Sequence, residues 1–219
     1  RLNKVITSSS LVENRLLEWG VEREKLVKIP LGVDTRNFKK ASSNKKKFIR
    51  EKYQIPSNAL VIGSFQKDGI GWGDGLKPKY IKGPDILVES IKDLSKNGVP
   101  VFVVLTGPAR GYVKKRLNDY NIPFLHLFVS DMYDLIPLYQ VLDIYLISSR
   151  EEGGPMGLLE SIACGATVVT TNVGMAMDVV SDNVNGFLVK DFSSESIADK
   201  IKNFTEMPFE KKLDIEEKA

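Results

Sequence analysis

The sequence has little of the two residue types that build disulfides and zinc sites: one cysteine, Cys164, and one histidine, His126. A single cysteine excludes an internal disulfide and is typical of a reducing compartment, so we expect a cytoplasmic protein. One cysteine and one histidine are too few soft ligands for a zinc site. The longest apolar run, residues 101–105, is too short to cross a membrane.

The sequence also has no large excess of charge of either sign. The 219 residues contain 31 Lys plus Arg against 28 Asp plus Glu, a net charge of +3. This mild excess suits anionic ligands, but it is far from that of a dedicated nucleic-acid-binding protein, and we expect no nucleic acid partner. Residues 36–52 hold eight Lys or Arg and one acidic residue, Glu51. We favour a solvated linker and helix face there. A polyanion-binding module and a peripheral membrane contact are the alternatives.

From residue 59 onwards, short β-branched runs alternate with segments of helical pattern. This alternation predicts βαβ units and an α/β fold with a Rossmann-like, doubly wound parallel sheet. No internal repeat is visible, and both ends of the sequence resemble pieces of something larger. Strands are predicted at 60–65, 101–106, 124–129, 143–148, 167–171 and 187–189, and helices at 84–97, 109–120, 131–140, 156–164 and 194–204.

The strongest functional pattern is residues 148–165, in which a buried strand, a glycine-rich turn and an apolar helix follow one another. Glu152 lies in the turn and Glu160 about a turn and a half into the helix. A carboxylate accepts two hydrogen bonds, which suits the neighbouring hydroxyls of a sugar. Free N–H groups of the turn suit sugar or phosphate oxygens. We therefore expect the pair to be functional rather than solvated surface residues.

A second anion-binding pattern surrounds Lys82. Pro84 suits a first helical position, so Lys82 adds its charge beside the N–H groups of a helix N-terminus. Gly83 would let a ligand approach the backbone closely. Just upstream, residues 69–75 are rich in glycine but fail the G-x-G-x-x-G spacing of dinucleotide sites. A mobile surface loop is the favoured interpretation there, with a lid over a phosphate as the second.

Several catalytic motifs are absent from the sequence. No two aspartates are separated by one residue, and there is no G-x-x-x-x-G-K-[ST] loop or G-x-S-x-G elbow. His126 lies in an apolar run and is expected to be a core or sheet residue. Cys164 lies on the apolar face of its helix and is expected to pack there.

Together these segments resemble the retaining glycosyltransferases of the GT-B fold, often called glycosyl transferase group 1. The spacing from Glu152 to Glu160 resembles that family's E-x7-E motif. The other resemblances follow in family order: IPLGVD at 29–34, Lys82-Gly83, VLTG at 104–107, LY and LD at 138–143, LESIACGATVV at 159–169, VG at 173–174 and NG at 185–186.

The resemblance implies that the chain is the second, C-terminal domain of such an enzyme. Residues 1–30 would end a missing N-terminal domain, 31–205 would bind the nucleotide-sugar, and 206–219 would be a truncated charged tail. Glu160 would hold the donor ribose, Glu152 would lie against the transferred sugar, and Lys82 would neutralise the leaving diphosphate. The further donor-binding residues are expected to be Gly83, Ser64, Lys67, Gly107, Gly153, Gly154, Met156, Gly157 and Leu158.

The sequence departs from the family pattern at two positions. Ser64 follows the glycine of the first strand, where the family usually has an arginine, and Lys67 or a residue of the insert 69–80 is expected to replace that charge. Pro155 stands where a second glycine is common, and proline has no N–H to offer a sugar.

The expected function is metal-independent, retaining transfer of a sugar from a UDP- or GDP-sugar to a hydroxyl of a glycan or lipid-linked acceptor, in polysaccharide or glycolipid biosynthesis. No cofactor is expected. The chain alone is expected to bind nucleotide weakly and to turn over little or not at all, because positioning by the other half is missing. A sugar-nucleotide epimerase of similar architecture and the polyanion-binding module are the alternatives.

Overall fold

The computed structural model describes residues 2–219, and its centre is a six-stranded, entirely parallel sheet. The strands occur in the order β5-β4-β3-β6-β7-β8 across the sheet. A separate two-stranded parallel sheet pairs β1 with β2. The strands are β1 Val5–Thr7, β2 Leu26–Lys28, β3 Leu60–Phe65, β4 Val101–Thr106, β5 Phe124–Leu127, β6 Ile144–Ile147, β7 Thr167–Thr171 and β8 Phe187–Val189.

Helices connect consecutive strands of the large sheet, as parallel pairing requires. The predicted α/β fold with a Rossmann-like, doubly wound parallel sheet is confirmed. The helices are α1 Ser10–Glu18, α2 Ser43–Lys52, α3 Pro84–Lys96, α4 Gly111–Asp119, α5 Leu135–Gln140, α6 Met156–Ala163, α7 Ala176–Val179, α8 Ser194–Glu206 and α9 Phe209–Lys218.

The sheet buries both of its faces, because neighbouring strand residues point in opposite directions. Ile62 of β3 packs into one core layer with α3, α4 and α8. Val61, the residue before it, packs into the other layer with α2, α5 and α6. The central strands are therefore buried on both faces and consist mostly of apolar or β-branched residues, which is the pattern that made them predictable.

The strand order reverses direction at β3. Its neighbours are β4 on one side and β6 on the other, so the loops that follow β3 and β6 lead away to opposite faces of the sheet. Such a switch point opens a crevice at the carboxyl ends of the two strands, where open α/β sheets bind ligands.

The C-terminal segment differs from its sequence-based expectation. Residues 206–219, expected to be a charged tail, contain the helix α9, and its Ile215 is 1% exposed in the core beside α8. The Nζ of Lys40 contacts Glu216 Oε2 at 2.6 Å and ties this helix to the segment before α2. One apolar side chain in a largely polar sequence is a weak signal for a packed helix, so α9 could not be predicted. Tertiary packing stabilises it.

Smaller differences concern element ends. The strand predicted at 124–129 ends at Leu127, and the helix predicted at 131–140 begins with a 3-10 turn, Met132–Asp134, before α5. Within residues 2–219, no helix is both long and apolar enough to span a bilayer.

The basic segment 36–52 forms a linker and the helix α2, as favoured. Lys46 and Arg50 both contact the carboxylate of Asp143, at 2.8 and 2.7 Å. Arg36 contacts Asp34 at 3.0 Å. Several of the cations are therefore paired within the domain, which leaves fewer of them for an external polyanion.

Candidate functional site

A cavity of about 470 Å³ opens at the switch point, and we call it the switch-point cleft. A second cavity of about 570 Å³ lies at the opposite end of the sheet, near the start of β3. We assign the site to the switch-point cleft because the carboxyl ends of parallel strands are the ligand-binding edge. The cleft is lined by Ser64, Phe65, Gln66, Lys67, Lys82, Thr106, Gly107, Pro108, Phe128, Val129, Leu135, Tyr139, Tyr145, Leu146, Ile147, Glu152, Gly154, Pro155, Met156, Gly157 and Glu160.

Nine of the twelve residues predicted for the site line this cleft, and they come from four separate loops and helices. The three that do not line it are Gly83, Gly153 and Leu158. The nine are Glu152, Glu160, Lys82, Ser64, Lys67, Gly107, Gly154, Met156 and Gly157.

Lys82 and Glu152 contact each other across the cleft. The Lys82 Nζ lies 2.6 Å from Glu152 Oε1, and the two side chains are 24% and 13% exposed. Ser149 donates its hydroxyl to the same Oε1 at 2.8 Å. The cation expected at the diphosphate and the carboxylate that the family resemblance places against the sugar are therefore paired with each other in this structure.

The loops that carry Lys82 and Glu152 are fastened together. Arg150 makes two hydrogen bonds to the Asp85 carboxylate, at 2.9 and 2.7 Å, and its backbone N–H donates to Ile81 O at 2.8 Å. Burial raises the pKa of the Asp85 carboxyl, but the hydrogen bonds and charge of Arg150 outweigh it, so that the pKa lies below its usual value. This clamp keeps Lys82 within reach of Glu152.

Glu160 is held from behind by a tyrosine. It is 8% exposed, and its Oε2 accepts a hydrogen bond from the Tyr139 hydroxyl at 2.6 Å. Burial raises the pKa of Tyr139 well above its usual value, so the phenol remains a donor. Its ring packs against those of Phe65 and Tyr145, with centroids 4.6 and 5.5 Å away. The carboxylate is thus fixed by a rigid aromatic group.

The three predicted residues that do not line the cleft make contacts within the protein. Gly83 has φ +62°, and a Cβ there would lie 1.8 Å from Ser148 O, so the close neighbour that requires glycine is the protein backbone. Leu158 is fully buried, and its N–H donates to Pro155 O at 3.0 Å, so it is not free for a ligand. Gly153 belongs to the turn, and its carbonyl accepts from Ser8 Oγ at 3.4 Å. None of the three lines the cleft, and their contact with the donor stays a prediction.

A buried arginine, Arg110, contacts Ser64. Ser64 itself stands at the position where the family pattern usually has an arginine. The Arg110 guanidinium donates to Ser64 O at 2.8 Å and to Ser64 Oγ at 3.3 Å. It is 1% exposed and lies 3.2 Å from the buried carboxylate of Asp68. Burial raises the pKa of the Asp68 carboxyl, and the Arg110 charge opposes that rise. Arg110 therefore stabilises the position of Ser64, which lines the cleft, without lining the cleft itself.

Two further sequence expectations concern His126 and Cys164. His126 is a half-buried residue of β5, and its Nε2 lies 2.9 Å from the carbonyl of Gly107, so it is a sheet residue as expected. Burial lowers the pKa of its imidazole. Cys164 is 3% exposed and packs in the core layer of α6, also as expected.

Sequence analysis missed Tyr139 and Arg110. Tyr139 lies in an apolar helical pattern and resembles any core aromatic residue, because nothing in the sequence shows that its hydroxyl meets Glu160. Arg110 precedes a polar helix, α4, and resembles a surface cation. For Tyr139, the one available signal was its place in the LY pair at 138–139.

Side chains that could form a metal site do not gather in the structure. Among residues 2–219, no three His, Cys, Asp or Glu side chains group closely enough to hold a metal ion. The charged groups that line the cleft are two lysines and two glutamates, namely Lys67, Lys82, Glu152 and Glu160.

Comparison with known proteins gives concordant matches. The family model of glycosyl transferases group 1 matches residues 76–219. The glycosyltransferase MJ1069 of Methanocaldococcus jannaschii is 28% identical over 198 residues, which cover 88% of this chain and 47% of that protein. The chain therefore spans about half the length of the curated relatives it matches.

Solved structures show the same fold. A glycosyltransferase from Rickettsia africae ESF-5 matches with a TM-score of 0.80 and 25% identity, over 98% of this chain and 56% of that one. Anabaena Alr3699/HepE, solved in complex with UDP-glucose, matches with a TM-score of 0.80 and 24% identity, over 99% of this chain and 57% of that one.

Proposed function

Because this chain belongs to the glycosyl transferases group 1 family, we propose that it is the donor-binding, C-terminal domain of a retaining GT-B glycosyltransferase. The reaction would move a sugar from a nucleotide-sugar to an acceptor hydroxyl without a metal ion. One observation carries this proposal: Glu152, Glu160 and Lys82 line a single cleft at the switch point of the sheet.

Glu160 is suited to hold the donor ribose. Tyr139 occupies its Oε2, while Oε1 makes no hydrogen bond within residues 2–219 and faces the cleft as an acceptor. A fixed carboxylate can accept hydrogen bonds from two neighbouring hydroxyls, and the Tyr139 contact reduces the entropy lost when they bind. We assign Glu160 to ribose binding on this basis.

Lys82 and Glu152 are suited to the reacting end of the donor. An ammonium in this cleft would stabilise the negative charge that develops on the leaving diphosphate. Glu152 would lie against the transferred sugar, with the backbone of Gly154 to Gly157 beside it. The charge needed at the diphosphate would come from lysine side chains, and this supports the metal-independent part of the proposal.

A UDP-sugar is the first donor to test, with GDP-sugars second. Alr3699/HepE, whose fold this chain shares, has been solved with UDP and with UDP-glucose. The cleft also offers an apolar wall of Phe128, Val129 and Leu135, which suits a planar base. A glycan or lipid-linked acceptor is the expected partner, as the glycosyltransferase family implies.

The acceptor side of the cleft is proposed to come from an N-terminal domain. The chain covers 47% of MJ1069, and the small sheet of β1 and β2 is not part of the six-stranded sheet. Residues 2–30 would then complete the other domain. We expect the chain alone to reach no more than about 1% of the intact enzyme's transfer rate, since positioning supplies much of such a rate.

The proposal is tested by calorimetric titration of the chain with UDP, GDP and ADP, repeated on Glu160→Ala and on Glu151→Ala. Glu151 is a matched control, because its side chain is 59% exposed and does not line the cleft. One nucleotide should bind, and Glu160→Ala alone should weaken it by about tenfold or more. Equal binding by all three proteins would contradict the assignment of Glu160.

Two alternatives give different results. An epimerase would release an epimerised sugar-nucleotide instead of a glycoside when the intact enzyme is assayed. A polyanion-binding module that used residues 36–52 would bind with a steep salt dependence and would be insensitive to Glu160→Ala.

A further inference from the structure

The charged side chains of the switch-point cleft differ in whether they have a partner within the protein. Lys82 is paired with Glu152, and Glu160 accepts from Tyr139. Lys67 also lines the cleft, but no carboxylate within residues 2–219 pairs with its ammonium. Lys67 is thus a cleft cation that is available to an anionic ligand.

The Lys67 ammonium has an aromatic contact instead. Its Nζ lies 3.5 Å from the centroid of the Trp72 ring, which is the geometry of a cation–π interaction. Trp72 is 84% exposed, so the core does not require an indole at this position. The contact with Lys67 is the observation that gives this tryptophan a role.

The loop that presents Trp72 is fixed at its base. Lys79 donates its backbone N–H to Asp68 O at 2.7 Å, and Gly111 donates to Asp74 O at 2.7 Å. Gly75 lies so close to the Ala109 backbone that a Cβ there would come within 2.1 Å of it. These contacts hold the base of the loop against the start of α4. The sequence alone, which shows none of them, had favoured a mobile surface loop.

We propose that Trp72 is a positioning residue that holds the Lys67 ammonium at the rim of the switch-point cleft, where Lys67 binds the diphosphate of the nucleotide donor. A free lysine side chain loses rotamer freedom when it binds a phosphate, and the indole reduces that loss by ordering the chain beforehand. The ring contacts one side of the ammonium, so N–H donors remain for phosphate oxygens. This inference rests on the proposed function.

The test is a double-mutant cycle measured by calorimetry with UDP, GDP and ADP as probes, on wild type, Lys67→Met, Trp72→Ala and the double variant. Lys67→Met should weaken binding about tenfold, and Trp72→Ala about two- to fivefold. The double variant should bind no more weakly than Lys67→Met, because Trp72 acts through Lys67. Lys67→Arg should retain most of the affinity, since arginine also stacks on indole.

Fluorescence adds a second measurement. The sequence has two tryptophans, so Trp19→Phe leaves Trp72 as the single reporter. Nucleotide should change its emission, and Lys67→Met should abolish that change. Trp19→Ala is the matched control for Trp72→Ala, because Trp19 is 72% exposed and does not line the cleft.

The outcomes separate this inference from the proposed function. Additive effects of Lys67→Met and Trp72→Ala, or unchanged binding by Trp72→Ala, would overturn the positioning role while leaving donor binding intact. If wild type binds none of the three nucleotides at millimolar concentration, the proposed function fails and this inference fails with it.

Discussion

Replacing Glu152 with glutamine should make the chain bind UDP more tightly. In the structure Glu152 holds the Lys82 ammonium at 2.6 Å, so a diphosphate must compete with this carboxylate for the cation. Glutamine keeps the size of the side chain and can still accept from Ser149, but it removes the competing charge. Lys82 would then be free to meet the diphosphate.

The magnitude follows from the burial of the pair. A buried hydrogen bond between charged groups contributes about 1.5–3 kcal/mol, while an exposed ion pair contributes about 0–1 kcal/mol. With side chains 24% and 13% exposed, the pair lies between these cases. We estimate about 1–2 kcal/mol, which corresponds to UDP binding about five- to thirtyfold tighter.

Calorimetric titration with UDP in low salt measures this change directly. Glu151→Gln is the control, since it removes the same charge from the neighbouring exposed residue. If Glu152→Gln binds UDP with wild-type affinity or more weakly, then Lys82 does not bind the diphosphate, and the assignment of this lysine is wrong.

Three further predictions concern stability and reactivity. Gly83→Ala should lower the free energy of unfolding by about 2–5 kcal/mol in a denaturant titration, because a Cβ would lie 1.8 Å from Ser148 O at φ +62°. Gly98→Ala, at φ +80° with nothing within 4 Å, should lose only the conformational part, about 1–2 kcal/mol, and equal losses would refute the contact argument. Burial raises the pKa of Glu89, but hydrogen bonds from its neighbours lower it to about 2, so its contribution to stability is present above its unfolded value of 4.5 and is lost as the pH falls towards 2. Acid titrations should therefore show a shallower stability loss over that range in Glu89→Gln. Burial raises the pKa of Cys164 to about 12, so a thiol reagent at pH 8 should react with it only after unfolding, and rapid labelling of the native chain would contradict this.

Much of the fold could be predicted from local pattern. The bounds of β3, β4, β7 and β8 coincide with the predicted ones, because buried parallel strands appear in the sequence as short runs of mostly apolar or β-branched residues. The helix α9 could not be predicted in this way. Its sequence is mostly polar, its N-cap makes no side-chain hydrogen bond, and its helical state depends on packing around Ile215.

The candidate site likewise has features that follow from local sequence pattern and features that depend on tertiary packing. Local spacing was enough to predict that Glu152 and Glu160 follow one buried strand and that Lys82 precedes a helix, because the order of residues along a strand–turn–helix unit is a local property. Three contacts become visible only in the folded chain: Lys82 with Glu152, Tyr139 with Glu160, and Gly83 with the protein backbone. Those contacts join residues from separate loops and helices, and their distances depend on how helices pack on the sheet, which no local pattern records.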